Sequence, residues 1–108
     1  MNRNMLVLTA VTAILLFCGV QRVAADATAD VKIIFKDVPD RSTQLAHVTN
    51  NGSKVVIVTI HWVNVEKGKK IGEGDKDFEV ASGKEVFIGG TKSFDTITMY
   101  SIKTAYYK

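Results

Sequence analysis

The chain is poor in cysteine, with Cys18 alone among its 108 residues. Cys18 lies in an apolar run near the amino terminus, so the chain downstream of that run has no thiol. This excludes a disulfide, a cysteine-ligated metal and a cysteine nucleophile from the downstream region. Small exported domains often depend on disulfides for stability, whereas this one must be stabilised by its hydrophobic core.

Motifs of catalysis are missing as well. The sequence contains no G-x-S-x-G, and Ser82 and Ser93 fall in segments with turn composition, where serine is common for its own reasons. Glycoside hydrolysis needs two carboxylates positioned in a cleft, which so short a chain rarely encloses. We therefore predict a protein that is not an enzyme and has no catalytic residues and no cofactor.

Residues 1–25 have the pattern of a secretory signal peptide. Arg3 gives a positive start, and Met5–Val20 is an uncharged apolar run. Val23-Ala24-Ala25 supplies the small residues that a signal peptidase recognises, so cleavage is expected after Ala25. Ala25-Asp26-Ala27 satisfies the same rule, which leaves cleavage after Ala27 as a second site. The predicted localisation is secreted or periplasmic.

Two other fates of this segment stay open. It could be retained as an anchor, although the run is short for a membrane span, which needs about 20 residues. It could also be lipidated at Cys18, although Phe17 stands where a lipobox has a small residue.

Removal of the predicted signal peptide changes the charge of the chain. Arg3 and Arg22 leave, so Lys and Arg fall from 14 to 12 while all 11 Asp and Glu remain, and the net charge falls from +3 to +1. So small a positive charge gives little support to nucleic-acid binding. We predict a protein partner, no nucleic acid, and no membrane span after cleavage, because no later run is long and apolar enough.

The chain after Asp30 alternates with a period of two. Beta-branched and aromatic residues alternate with polar ones between turn residues, which is typical of half-buried strands. Residues 26–30 are expected to be a flexible lead-in, and 31–108 a single domain. About six strands are predicted, at Val31–Lys36, Thr43–Thr49, Lys54–Val65, Phe78–Val80, Glu85–Ile88 and Thr96–Lys108. The predicted fold is all-β, a small antiparallel immunoglobulin-like β-sandwich.

Lys54–Val65 is the strongest strand pattern. Its even positions, Val56, Val58, Ile60 and Trp62, form one apolar face that we expect to be buried, with the strand in the centre of a sheet. In the last strand the apolar phase changes between Met99 and Tyr100, which predicts a bulge.

The segments between the strands have turn composition. We predict turns at Asn50–Ser53, as a tight hairpin, at Glu66–Lys70 and at Ala81–Lys84, a polar loop at Gly72–Asp77 and a flexible segment at Gly89–Ser93.

Two stretches resemble bacterial immunoglobulin-like modules. Val48–Thr59 (VTNNGSKVVIVT) has their strand, polar turn and alternating strand, and Phe78–Val86 (FEVASGKEV) resembles their strand–turn–strand, with Ser82-Gly83 where they usually have Pro-Gly. The resemblance covers about a quarter of the chain after the signal peptide and implies an architecture, not a site. The Cys…Trp…Cys pattern of antibody domains is absent.

Binding residues are predicted in two places. Lys67, Lys69 and Lys70 cluster at a turn and could contact an acidic partner, although a solvated turn explains them too. Tyr106 and Tyr107 are adjacent in a strand and must point to opposite faces, so one should be exposed.

Two histidines, one acidic segment and one sequon have the residue types that bind a metal or carry a glycan. His47 and His61 lie on different predicted strands and should be too far apart to share a metal, with His61 off the main core. The Gly72–Asp77 segment carries three carboxylates but lacks the spacing of an EF-hand, so a surface loop is favoured over a calcium site. Asn51-Gly52-Ser53 matches a glycosylation sequon, which matters only in a eukaryotic source. No metal site is predicted.

The leading functional hypothesis is an exported, non-enzymatic binding or structural module of the cell envelope or extracellular space that acts through a sheet face or an edge strand. The alternative is a secreted inhibitor or immunity-type protein that blocks an enzyme with a loop, for which Gly72–Asp77 is the candidate. A small carbohydrate- or ion-binding domain is the third hypothesis.

Overall fold

The computed structural model describes residues 25–108, which form seven β-strands and one short 3₁₀ helix, Thr28–Asp30. The predicted signal peptide therefore lies, apart from Ala25, outside the described residues. The strands are β1 (Val31–Asp37), β2 (Gln44–Asn50), β3 (Val56–Glu66), β4 (Lys69–Val80), β5 (Glu85–Gly90), β6 (Lys92–Ser93) and β7 (Thr96–Tyr107). None of the helical segments in 25–108 has the length and apolar character needed to cross a membrane.

The fold is all-β, with two antiparallel sheets in an arrangement compatible with a β-sandwich. A three-stranded sheet has the order β1-β2-β5, and a four-stranded sheet has the order β4-β3-β7-β6. The core lies between them and consists of small and β-branched side chains, namely Ala27, Val31, Val48, Val56, Val58, Ile60, Val80 and Ala105. The three-stranded sheet has strands of six or seven residues, whereas β3, β4 and β7 have 11 or 12. The four-stranded sheet therefore extends beyond the three-stranded sheet that packs against it.

The burial of the apolar face of β3 shows where the three-stranded sheet ends. Val56, Val58 and Ile60 are buried, and β3 lies between β4 and β7, so its prediction as a central strand with a buried face is confirmed for these residues. Trp62, the fourth residue of that face, is only partly buried. Its ring lies over Gly74, its partner across the strand pair, rather than in the core.

The predicted tight hairpin at Asn50–Ser53 is wrong, because the chain crosses here from one sheet to the other. β2 belongs to the three-stranded sheet and β3 to the four-stranded sheet. Asn50 is 1% exposed, and its side-chain amide donates to the carbonyls of Lys54 (2.7 Å) and Val80 (3.0 Å), while its oxygen accepts from Gly52 N–H (2.9 Å). Asn50 thus fixes the crossing with hydrogen bonds that a two-residue turn would not need.

Two predicted loops are strands. Gly72–Asp77 lies inside β4, and the predicted flexible segment Gly89–Ser93 contains the end of β5 and all of β6. Glycine and charged residues have low strand propensity, but β4 is an edge strand, where charges protect against aggregation and one side needs no pairing. The packing of Trp62 over Gly74 fills the space that the missing side chain leaves.

The predicted bulge in the last strand exists, at a different position. Thr59 pairs with Thr104 and Ile60 with Ile102, so Lys103 is the extra residue. Met99 and Tyr100, where the sequence suggested the change of phase, are neighbours in a regular strand and face opposite sides of the sheet.

The predicted lead-in, residues 26–30, packs along β7. Ala27 is buried, its N–H donates to the carbonyl of Ala105 (2.8 Å), and Tyr107 N–H donates to the carbonyl of Ala25 (3.1 Å). A flexible segment was expected because these residues are small and polar. The small size of Ala27 is what allows the backbone to approach β7 and fill the edge of the core.

Candidate functional site

Three connections meet at one end of the molecule, which we call the loop end. They are the β1–β2 connection (38–43), the β3–β4 turn (67–68) and the β5–β6–β7 connections with β6 (91–95). Hydrogen bonds hold the end of the first beside the start of the third, because Thr91 N–H donates to the carbonyl of Gln44 (2.9 Å), the first residue of β2, and Gln44 N–H donates to Thr91 Oγ1 (3.0 Å). The two segments therefore keep a defined separation.

A cleft of about 500 Å³ opens between these two segments. Its lining consists of Asp40, Arg41, Ser42, Thr43, Lys92, Ser93 and Phe94. The lining thus has two cations, one carboxylate, three hydroxyls and one aromatic ring. Thr43 Oγ1 accepts a hydrogen bond from Lys92 N–H (3.2 Å), which joins the two walls of the cleft.

Phe94 is the most exposed large apolar side chain at this end, with 94% of its surface accessible. It occupies the first position of the two-residue turn between β6 and β7, where Ser93 pairs with Thr96. Its φ of 55° is in the left-handed region, which glycine and asparagine tolerate and bulky residues avoid. A strained backbone that displays an apolar ring to solvent has no structural benefit for the fold, and such strain is often found at binding sites.

An exposed aliphatic patch lies on the outer face of the four-stranded sheet, next to the loop end. Val63 pairs with Met99 and Val65 with Ile97, so all four side chains share this face. Met99 is 53% and Ile97 49% exposed. Two lysines flank the row of Val65 and Ile97 across the sheet, Lys70 on β4 and Lys92 on β6.

The middle of the same outer face is polar, and its side chains are linked by short polar contacts and by the ion pairs of Lys103 with Asp75 and of Lys70 with Glu73. His61 Nδ1 is 2.7 Å from Asp75 Oδ1 and His61 Nε2 is 3.3 Å from Glu73 Oε1. Hydrogen bonds from Lys103 and then from His61 lower the pKa of Asp75, and Lys70 is the main cause that lowers the pKa of Glu73. Within residues 25–108, no three His, Cys, Asp or Glu side chains are arranged to hold a metal ion.

The structure separates the two predicted groups of binding residues. Lys67, Lys69 and Lys70 lie at the loop end, where Lys67 and Gly68 form the β3–β4 turn with φ of 51° and 78°. The tyrosines lie at the opposite end, because Tyr107 pairs with Val56, ten residues from the end of β3 at Glu66. Ten residues of strand span about 33 Å. The two groups cannot form one small contact surface.

The two tyrosines face opposite sides of β7, as expected from their adjacency. Tyr106 is 41% exposed, whereas Tyr107 packs against the core. The hydroxyl of Tyr107 donates to Asp30 Oδ2, and this hydrogen bond raises the pKa of Tyr107. Tyr107 thus holds the 3₁₀ helix in place, which leaves Tyr106 as the free ring.

The two histidines lie in different sheets. His47 is on β2, where its ring meets the edge of Phe87 at 5.5 Å, and His61 is on β3 on the outer face of the other sheet, off the core as predicted. Arg41, Lys92 and Phe94 were not singled out from the sequence. The sequence did offer one signal at Phe94, because this aromatic residue stands between Ser93 and Asp95, two residue types that are common in turns. The positive φ of Phe94 could not be read from the sequence.

Compared with known protein families, curated proteins and solved structures, the chain shows no significant match.

Proposed function

We propose that the protein is an exported, non-enzymatic binding module with an immunoglobulin-like sandwich, and that it contacts a protein partner through the outer face of the four-stranded sheet. The observation that carries the proposal is the aliphatic patch of Val63, Val65, Ile97 and Met99. Exposed contiguous apolar surface on a small domain marks interaction sites, because it costs solubility when it has no partner.

The distribution of strands supports the immunoglobulin-like part of the proposal. In immunoglobulin domains the first, second and fifth strands, A, B and E, share one sheet, and C and F share the other. Here β1, β2 and β5 form one sheet, and β3 and β7 are neighbours in the other, with β4 beside β3 in the place of C′. Trp62 lies on β3, which corresponds to the strand that carries the tryptophan of antibody domains, but its ring packs on Gly74 rather than in the core.

Of the two predicted cleavage sites, the contacts of the first described residues favour the one after Ala25. Cleavage after Ala25 removes the amide carbonyl that accepts from Tyr107 N–H but leaves Ala27 in the core with its hydrogen bond to Ala105, whereas cleavage after Ala27 removes that buried residue as well. We therefore expect Asp26 as the first residue of the exported protein. Cell fractionation and amino-terminal sequencing test this, and a protein that keeps residue 1 or begins at Thr28 would contradict it.

The partner surface is tested by crosslinking in the producing cells. A photoreactive amino acid at position 99 should crosslink to one protein, and Met99→Lys should abolish that complex without lowering the melting temperature, because the side chain is exposed. Position 106 is the matched control, since Tyr106 is on the same face of β7 but at the opposite end. Crosslinks at 106 and none at 99 would assign the contact to the tyrosine end and refute the proposal.

The inhibitor hypothesis needs a different loop from the one that the sequence suggested. Gly72–Asp77 is part of β4 and cannot be inserted into an enzyme as a loop. The turn at Phe94 displays a single apolar side chain on a short hairpin, which a partner's pocket could accept. Loss of inhibition of a captured hydrolase in Phe94→Ala, with Met99→Lys unaffected, would favour this function over the first.

A further inference from the structure

The cleft at the loop end presents groups that suit a small charged ligand, and we propose that it binds an acidic oligosaccharide, one that bears uronate or sulfate groups. The proposal concerns the cleft and does not depend on the aliphatic patch or on a protein partner. Its volume of about 500 Å³ is within the usual range of small-molecule sites.

The charge of the lining selects an anion. Arg41 and Lys92 both line the cleft, and within residues 25–108 neither forms an ion pair with a carboxylate. Asp40 is the single acid of the lining, so the cleft has an excess of one positive charge. The planar guanidinium of arginine matches a carboxylate or sulfate with two parallel hydrogen bonds, and Lys92, on the edge strand that borders the cleft, adds a second cation at its rim.

The remaining lining distinguishes a sugar from a simple anion. Ser42 and Ser93 are exposed and place hydroxyls on the two walls, where they can exchange hydrogen bonds with sugar hydroxyls. Phe94 offers an apolar ring face on which the C–H face of a pyranose can lie. A free phosphate would use the cations and leave this ring without a role.

An acidic peptide fits the same lining less well. Peptide recognition uses anchor side chains in desolvated pockets or backbone pairing with a strand edge. The cleft has one aromatic ring and no further apolar residue in its lining. The strand edge that borders it, β6, has only two residues, which is short for backbone pairing with a peptide. The hydrogen bonds between Gln44 and Thr91 hold both walls before a ligand arrives, which lowers the entropic cost of binding.

Isothermal titration calorimetry of the purified protein tests the proposal with five probes. They are a uronate tetrasaccharide, a sulfated tetrasaccharide, a neutral tetrasaccharide, an acidic tetrapeptide and inorganic phosphate. We expect binding of at least one of the acidic saccharides and none of the other three. The acidic saccharide that binds with the lower dissociation constant identifies the anionic group that the cleft prefers.

Three variants and a control locate the site. Arg41→Gln and Lys92→Gln should each weaken binding about tenfold, because each removes a charge-assisted hydrogen bond, and Phe94→Asn should weaken it by a smaller factor. Lys84→Gln is the matched control, since Lys84 is an exposed lysine in the β4–β5 turn at the opposite end.

Four results would overturn the assignment. They are no heat with either acidic saccharide, equal affinity for the neutral one, equal affinity for phosphate or the peptide, and an equal loss in Lys84→Gln and Arg41→Gln. Met99→Lys should leave saccharide binding unchanged, so failure of the partner proposal and failure of this one give different results.

Discussion

Replacing Phe94 should stabilise the fold and weaken ligand binding at the same time. The left-handed conformation of a non-glycine residue costs about 1–2 kcal/mol. Asparagine adopts this conformation with less strain, and a ring that is 94% exposed contributes almost no burial to the fold. Phe94→Asn should therefore raise the free energy of unfolding by about 1 kcal/mol. For a domain of this size that raises the melting temperature by about 4–8 °C.

Two further substitutions separate strain from the loss of the ring. Phe94→Ala keeps a Cβ in the strained conformation, so it should lose ligand affinity without the gain in melting temperature. Phe94→Gly relieves the strain, but it loses about 0.5–1 kcal/mol to the entropy of the unfolded chain and should fall between the other two. Differential scanning calorimetry measures the melting temperatures, and titration with the acidic tetrasaccharide measures binding.

Lys67→Asn is the matched control for this series. Lys67 has a φ of 51° at the first position of another two-residue turn but does not line the cleft. It should gain similar stability with unchanged affinity for the saccharide. The reasoning is refuted if Phe94→Asn melts no higher than Phe94→Ala, because the backbone strain would then have no measurable cost.

Three other predictions concern the frame that supports the site. Asn50→Leu should destabilise by about 2–4 kcal/mol in urea unfolding, because buried carbonyl groups lose their donor, and a loss below 1 kcal/mol would contradict the role of Asn50 in the crossing. Gly74→Ala should destabilise the fold by about 1–3 kcal/mol and shift the fluorescence of the single tryptophan, because the new Cβ would lie 2.7 Å from Trp62 Cζ2. In the control Gly72→Ala the new Cβ would lie 3.8 Å from Trp62 Cζ3, so stability and fluorescence should both stay unchanged. The pKa of Asp75 is lowered in the fold from its ordinary value of 3.8, so its contribution is present above that value and lost as pH falls through the folded pKa. Asp75→Asn should therefore lower the melting temperature at pH 7, and the difference from the parent protein should shrink in acid; a constant difference would show that the ion pairs are not its cause.

Local pattern was sufficient to predict most of the strands. The period of two placed β1, β2, β3, β5 and β7 within a few residues of their bounds, because alternation reports directly which side chains face a core. It also identified β3 as central. The turn predicted at Glu66–Lys70 was also correct, since Lys67 and Gly68 have the composition of a two-residue hairpin.

The assignment of strands to sheets could not be read from the sequence. Whether the chain turns back or crosses over after Asn50 depends on which sheet accepts β3, and turn residues serve both outcomes. The strand at Gly72–Asp77 was missed because its stability depends on partners in the sheet, with Trp62 over Gly74 and with His61 beside Glu73 and Asp75, and local composition does not show these partners. The candidate site escaped prediction for a related reason, since Arg41 and Lys92 are 51 residues apart in sequence and meet only through the packing of two connections.

The core lies under only part of the four-stranded sheet, so one half of the molecule is tightly packed and the other half is less so. The buried residues of β3, Val56, Val58 and Ile60, lie toward the chain termini, while the stretch from Trp62 to Glu66 has no sheet packed over it as tightly. Amide hydrogen exchange should therefore be slowest at Val56–Ile60 and faster toward Glu66. Substitutions at the loop end should therefore cost little folding free energy, whereas substitutions of Val56, Val58 or Ile60 should cost much more.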